Sequence, residues 1–355
     1  MSESANGKDF RENKNGASRK MSPKANMLSC LAAAVCMLGG AAVCAAGISG
    51  IFAAVALWVF AAVACGMIFS FGSRSARVLP AACALLSVLF GAGGVIFSAL
   101  VITCGIAVAF SVSSRRRRFE TVLWMTVAVC IVFICVFAVL VRESEGSFGR
   151  EAVNNYIAGV TDAVYDTYLT AAETTRDALS GIGTLTPEAE EQLAEIASHD
   201  RALAVAKSFI ISLPAYIAAA ATVFCYGITS VFLMMAEKTG NKLYFMRPFS
   251  VPLFMAHTFL ICYFISIFLS AQTAVGLVVY YVTVLFTPCF AYVGIKSIIA
   301  MLRSGAPTSV RVAAVIFFIV MLLMISYLVT LLAFIGAYVI VRAAALARMV
   351  KNSRK

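Results

Sequence analysis

Between Lys24 and Arg74 the chain carries no charged side chain, and the apolar run Met27–Gly72 alone is 46 residues long. Such a run needs lipid or a large apolar core around it. Only 13% of all residues are charged and the mean hydropathy is +0.94, whereas soluble domains carry about 25% charged residues. In lipid the backbone must satisfy its own N–H and C=O groups, so the run must be helical. One crossing takes about 20 residues, and the run therefore divides in two. Gly47, Ser49 and Gly50 mark the turn, which predicts spans near 28–46 and 51–71.

The same reasoning covers the rest of the chain. Val78–Val112 is broken at Gly91, Gly93 and Gly94, which predicts two short helices or a re-entrant pair. Further spans are expected near 121–141, 209–235, 251–271 and 275–300, and a last one from Val312 to about Val341. The fold class is thus an all-α polytopic membrane protein of about nine spans, with a range of eight to ten. Its parts are a disordered basic tail (1–26), an N-terminal membrane domain of about five helices (27–141), a polar insert (142–207), a C-terminal membrane domain of about four helices (208–341) and a basic tail (342–355).

The insert stands apart in chemistry. It holds 12 of the 17 acidic residues, 5 of the 28 basic ones and none of the 11 cysteines. Val153, Tyr156, Ile157, Val160, Val164 and Tyr168 recur at helical spacing, so its first half predicts an amphipathic helix. Gly181–Gly183 marks a turn, and Thr186 with Pro187 predicts the start of a second helix. Glu188, Glu190 and Glu191 would suit that helix's first turn. A helical hairpin on the membrane face is expected.

Basic charge sets the orientation. Arg74 and Arg77, the run Arg115, Arg116, Arg117 and Arg118, then Lys238, Lys242 and Arg247, and finally Arg303 and Arg311 all fall in alternate connectors. With Lys296 and the leader they make 18 of the 28 basic residues. The positive-inside rule puts these in the cytoplasm, with Arg115–Arg118 as the main topology anchors. The N-terminus is then cytoplasmic and 142–207 extracytoplasmic. Nine spans leave the basic tail from Arg342 on the other side, against the rule. The net charge of +11 faces anionic lipid rather than nucleic acid, for which no binding motif is present.

Few residues suggest chemistry. The cysteines all fall in spans without a CxxC pair, so they read as small buried hydrophobes. Gly47-Ile48-Ser49-Gly50 has the GxSG form of intramembrane serine proteases, but His257 would lie near the opposite membrane face, and the motif serves as a turn. HExxH, P-loop, GxSxG and paired intramembrane carboxylates are missing from the sequence, so no catalytic, metal or cofactor residues are assigned and no enzymatic activity is expected. His257 and Pro288 are candidate cavity-lining residues. One is the clearest ionisable group in a span, and the other is a proline that removes a backbone donor. Ala32, Cys36, Gly40 and Cys44 place a small residue every four positions on the first span, a ridge suited to helix docking.

Pro214 opening the sixth span, the connector Arg247-Pro248-Phe249…Pro252, and Gly294…Arg303-Ser304-Gly305 ending the eighth give a resemblance to a known family. In these features the second half resembles the YybS-like family of bacterial multi-pass membrane proteins. That family's first spans in turn look similar to the substrate-binding S components of energy-coupling-factor transporters, whose first-span small residues contact the coupling subunit. The resemblance implies uptake of a small-molecule ligand, an ATPase-coupled partner, and Ala32, Cys36 and Gly40 as docking positions. A second expectation, from the insert itself, is a membrane scaffold or regulator that binds a partner protein.

Overall fold

The computed structural model describes residues 21–47, 50–180, 195, 198–247, 249–269, 273–303 and 325–353. Among them the regular structure is helical and no strand occurs. Seven helices are long and apolar enough to cross a membrane, and Leu253–Phe268 is a shorter apolar helix. The protein is an all-α polytopic membrane protein, with seven candidate spans and one shorter apolar helix among the described residues where the apolar runs suggested about nine spans. Its helices fall into two compact units.

The first unit comprises Met1–Val132, Ala221–Thr258 and Pro288–Lys355. Helix α1 (Pro23–Ala45) starts at Ser22, whose hydroxyl accepts the Ala25 N–H at 3.3 Å, with Pro23 at the first helical position. Both are standard start signals, because the first-turn N–H groups have no partner within the helix. Helix α2 (Ile51–Phe71) returns antiparallel to it. The Cys65 thiol lies 3.7 Å from the Met37 sulfur, and Gly39 faces Leu57.

The Val78–Val112 run forms one stub and one full-length helix, not two short ones. Helix α3 (Leu79–Ser87) has 9 residues and α4 (Gly91–Ser113) has 23. Gly91 makes the break with φ +71°, a backbone region that costs glycine least. The Ser98 hydroxyl then closes on Ser87 at 2.7 Å, which satisfies two buried polar groups at the bend. Helix α4 runs antiparallel to α1, with Ala41 against Gly94, and parallel to α2. A Cβ at Gly105 would come within 2.8 Å of Cys65 Cβ, so α2 and α4 meet through their smallest residues, as lipid-embedded helices do.

Helix α5 (Arg118–Glu145) and helix α7 (His199–Lys238) pair antiparallel within this unit. Arg118 bonds Ser230, and the Thr126 hydroxyl lies 3.3 Å from that of Thr222. Trp58 on α2 meets Phe224 at 5.6 Å, and Phe71 stacks on Phe232 at 6.1 Å. Helices α9 (Ala274–Arg303) and α10 (Ile325–Ser353) cross at two glycines. A Cβ on Gly294 would overlap the Leu332 carbonyl oxygen, and one on Gly336 would overlap that of Phe290. These pairs fix α10 antiparallel to α9. Residues 342–353 of the basic tail continue α10 as helix and lie at its end away from Arg303. The start of the expected last span, from Val312, lies outside the described residues.

The second unit comprises Phe133–Ala220 and Phe259–Thr287. Helix α6 (Arg150–Ser180) supplies the expected amphipathic element, at 31 residues. The second arm of the hairpin, from Thr186, falls outside the described residues. However, residues 199–207 of the polar insert already belong to α7, which runs unbroken for 40 residues. Helix α5 likewise continues past the expected boundary at 141. A change from lipid to water does not interrupt an i→i−4 hydrogen-bond ladder, so the compositional border is not a structural one. Helix α8 (Leu253–Phe268), at 16 residues, is about 24 Å long and shorter than the expected 251–271.

Candidate functional site

The contacts of the first unit collect its basic connectors at one end. The Met21 N–H donates to the Phe71 carbonyl at 3.2 Å, and the Asn26 amide lies 3.3 Å from the Ser73 hydroxyl. Phe119, just after the arginine run, packs edge-on against Phe249 at 5.7 Å, and Phe249 meets Tyr292 at 5.2 Å. The leader's end and the connectors around 72–78, 114–117 and 239–252 thus share one face.

The four consecutive arginines there are not equivalent. Arg115 has φ +51° and ends α4 as a left-handed cap, with the Arg116 N–H donating to the Ser111 carbonyl at 2.9 Å. That is a Schellman-type ending with arginine where glycine is usual. Arg115 and Arg117 are exposed, and Arg116 lies 3.8 Å from Glu120. Arg118 turns inward. Its guanidinium carbon sits 4.3 Å from the Tyr226 ring centroid, one terminal nitrogen donates to Ser230, and Nε is buried without a partner. Phe119, Tyr226, Phe249 and Tyr292 form an aromatic wall around it, with Tyr226 and Tyr292 at 4.5 Å. A run of identical residues cannot show which member turns in. The usable signal was Tyr226 and Ser230, four apart and so on one face of α7.

The ridge on α1 is engaged inside the protein. Gly40 is buried against the Phe97 ring, and Cys44 faces Gly93. Ala32 and Cys36 are half-buried. His257 lies on an exposed face of α8, its Nδ1 3.0 Å from the Leu253 carbonyl of the preceding turn. Pro288 sits half-buried inside α9. His257 and Pro288 lie on different helices, α8 and α9. All eleven cysteines are free, and Cys65, Cys83, Cys104, Cys225 and Cys289 are buried. Ile48 and Ser49 of the GxSG turn lie outside the described residues.

Helix α6 carries two stripes. Val153, Tyr156, Val160, Val164 and Tyr168 are half-buried on one side, while Ile157 of the expected stripe is exposed. On the other, Asp162, Asp166, Glu173 and Asp177 are exposed, and their spacing of four, seven and four residues keeps them on one face. The helix is held at two points in the second unit, by Tyr156 on the apolar side and by Tyr165 on the flank between the stripes. Phe137 packs edge-on against Tyr156 at 5.6 Å, and the Tyr165 hydroxyl meets His199 Nδ1 at 2.7 Å. Tyr165→Phe is expected to remove about 1 kcal/mol of that attachment. Amide exchange over residues 160–180 should then speed up while the spans keep their protection. In comparisons with known proteins, no family model, no curated sequence and no solved structure matches this chain.

Proposed function

We propose that the protein is a non-enzymatic membrane scaffold or regulator that holds a partner protein through α6. The carrying observation is the exposed acidic stripe Asp162–Asp166–Glu173–Asp177 on a helix fastened by Tyr156 on its apolar side and by Tyr165 on its flank. A fastened helix loses little further freedom on binding, and a mainly acidic face, with Arg176 at its edge, favours a basic partner. In this reading the membrane is a bacterial plasma membrane, the basic end is cytoplasmic and α6 is extracytoplasmic. The reading as an uptake component implied by the family resemblance needs the α1 ridge free for a coupling subunit. Gly40 and Cys44 already lie against α4, which favours the scaffold.

The test is photocrosslinking in intact membranes from a reactive side chain placed at Thr170, beside the stripe. A discrete protein adduct is expected. The triple reversal Asp162→Lys, Asp166→Lys and Glu173→Lys should reduce it about tenfold or more, with membrane insertion unchanged. An adduct of undiminished yield after reversal would sink the scaffold reading. Co-purification of an ATPase indifferent to the reversal would restore the uptake reading.

A further inference from the structure

Arg118 has an unusual environment for a basic residue beside a membrane span. Arg116 has Glu120 at 3.8 Å, and Arg247 is paired with Glu237. Among the described residues Arg118 has no carboxylate within salt-bridge distance and makes one hydrogen bond, to Ser230. Its Nε is buried without a partner. A half-buried guanidinium in this state has lost hydration without a counter-charge, which is costly until an anion arrives. Ring stacking on Tyr226 at 4.3 Å offsets part of that cost and holds the guanidinium plane in one orientation. The N–H groups of the terminal nitrogens not taken by Ser230 are left for a planar or tetrahedral oxyanion.

The depth of the site indicates which anion. Arg118 is the first residue of α5, and the apolar stretch begins within the next turn. Trp124, two turns along, is 49% exposed, as expected of a tryptophan in the interfacial belt. The guanidinium is thus at headgroup level. The half-buried rings of Phe249 and Tyr292, backed by the buried Phe119, would cover the glycerol and upper acyl carbons. Exposed Arg115 and Arg117 add a positive field around the entrance. Glu120 lies in the same helical turn and would repel an anion, but its charge is met by Arg116.

We propose that Arg118, stacked on Tyr226 and bounded by Phe119, Phe249 and Tyr292, is a binding site for the phosphate group of an anionic phospholipid. The site is independent of α6 and of any partner it holds.

The test is a lipid titration of the full-length protein in detergent, followed by native mass spectrometry. The probes are phosphatidylglycerol, phosphatidylcholine and inorganic phosphate. Wild type should retain phosphatidylglycerol in preference to phosphatidylcholine. Arg118→Gln should weaken phosphatidylglycerol about tenfold, as expected for loss of a charge-assisted contact, and Arg117→Gln less than about twofold. Arg118→Lys keeps the charge without the fork and should fall between, and it serves if the glutamine variant does not fold. Unchanged retention in both Arg118 variants would overturn the proposal. Equal losses in Arg117→Gln and Arg118→Gln would also overturn it, by showing diffuse attraction instead of a site. Displacement of the lipid by an equal concentration of inorganic phosphate would assign the site to free phosphate and overturn the lipid assignment.

Discussion

Replacing Gly336 with valine is expected to cost the first unit about 3 kcal/mol, the upper range for forcing extra atoms into a packed contact. The first added carbon would already overlap the Phe290 carbonyl oxygen and would come within 2.8 Å of the Gly294 nitrogen. Backbone atoms cannot rotate away as a side chain could, so α9 and α10 must separate. Gly294→Val should behave alike, since its Cβ would overlap the Leu332 carbonyl. The natural control is Gly227, where an added Cβ meets nothing within 4 Å. Gly227→Ala is expected to be neutral or to stabilise by about 0.5–1 kcal/mol through helix propensity. Thermal unfolding of the three variants in one detergent checks this. Equal melting temperatures for Gly336→Val and Gly227→Ala would refute the close crossing.

Phe232→Ala should be the most damaging truncation in the first unit. The ring is fully buried, stacks on Phe71 at 6.1 Å and would lie 3.5 Å from a Cβ on Gly66. In water such a change costs about 3–5 kcal/mol. Part of that is transfer out of water, which is nearly absent when the alternative environment is lipid. The lost packing remains, about 2–3 kcal/mol. Because Phe71 and Phe232 share one contact, the double variant with Phe71→Ala should cost less than the two single losses combined. Additive melting shifts would show that the rings do not pack together.

Local features of the fold were legible in the sequence. Gly47, Ser49 and Gly50 predicted the first turn, and the residues on both sides form α1 and α2. Gly91 was legible as a break, because glycine alone accepts its positive φ cheaply. The apolar stripe of α6 was legible because burial on one side of a helix leaves a 3.6-residue period. Three things were not. The continuity of α7 was hidden because charge marks a solvent border and not the end of a hydrogen-bond ladder. The inward turn of Arg118 depends on Tyr226 and Ser230, over a hundred residues away. The role of Gly294 depends on Gly336, and a glycine in a span looks the same whether it faces lipid or another backbone.

The antiparallel crossing of α9 and α10 bears on how the chain enters the membrane. Helix α9 ends at Arg303 and α10 carries Arg342, Arg348 and Lys351 at its other end. The two groups of cations are therefore held at opposite ends of one helix pair. Charge alone would retain both groups on the side of synthesis, so the last helix is frustrated during biogenesis. The fit of Gly294 and Gly336 holds α10 antiparallel to α9 against that preference. A defect in that fit is then expected to act on topology as well as stability, leaving chains with α10 in mixed orientations.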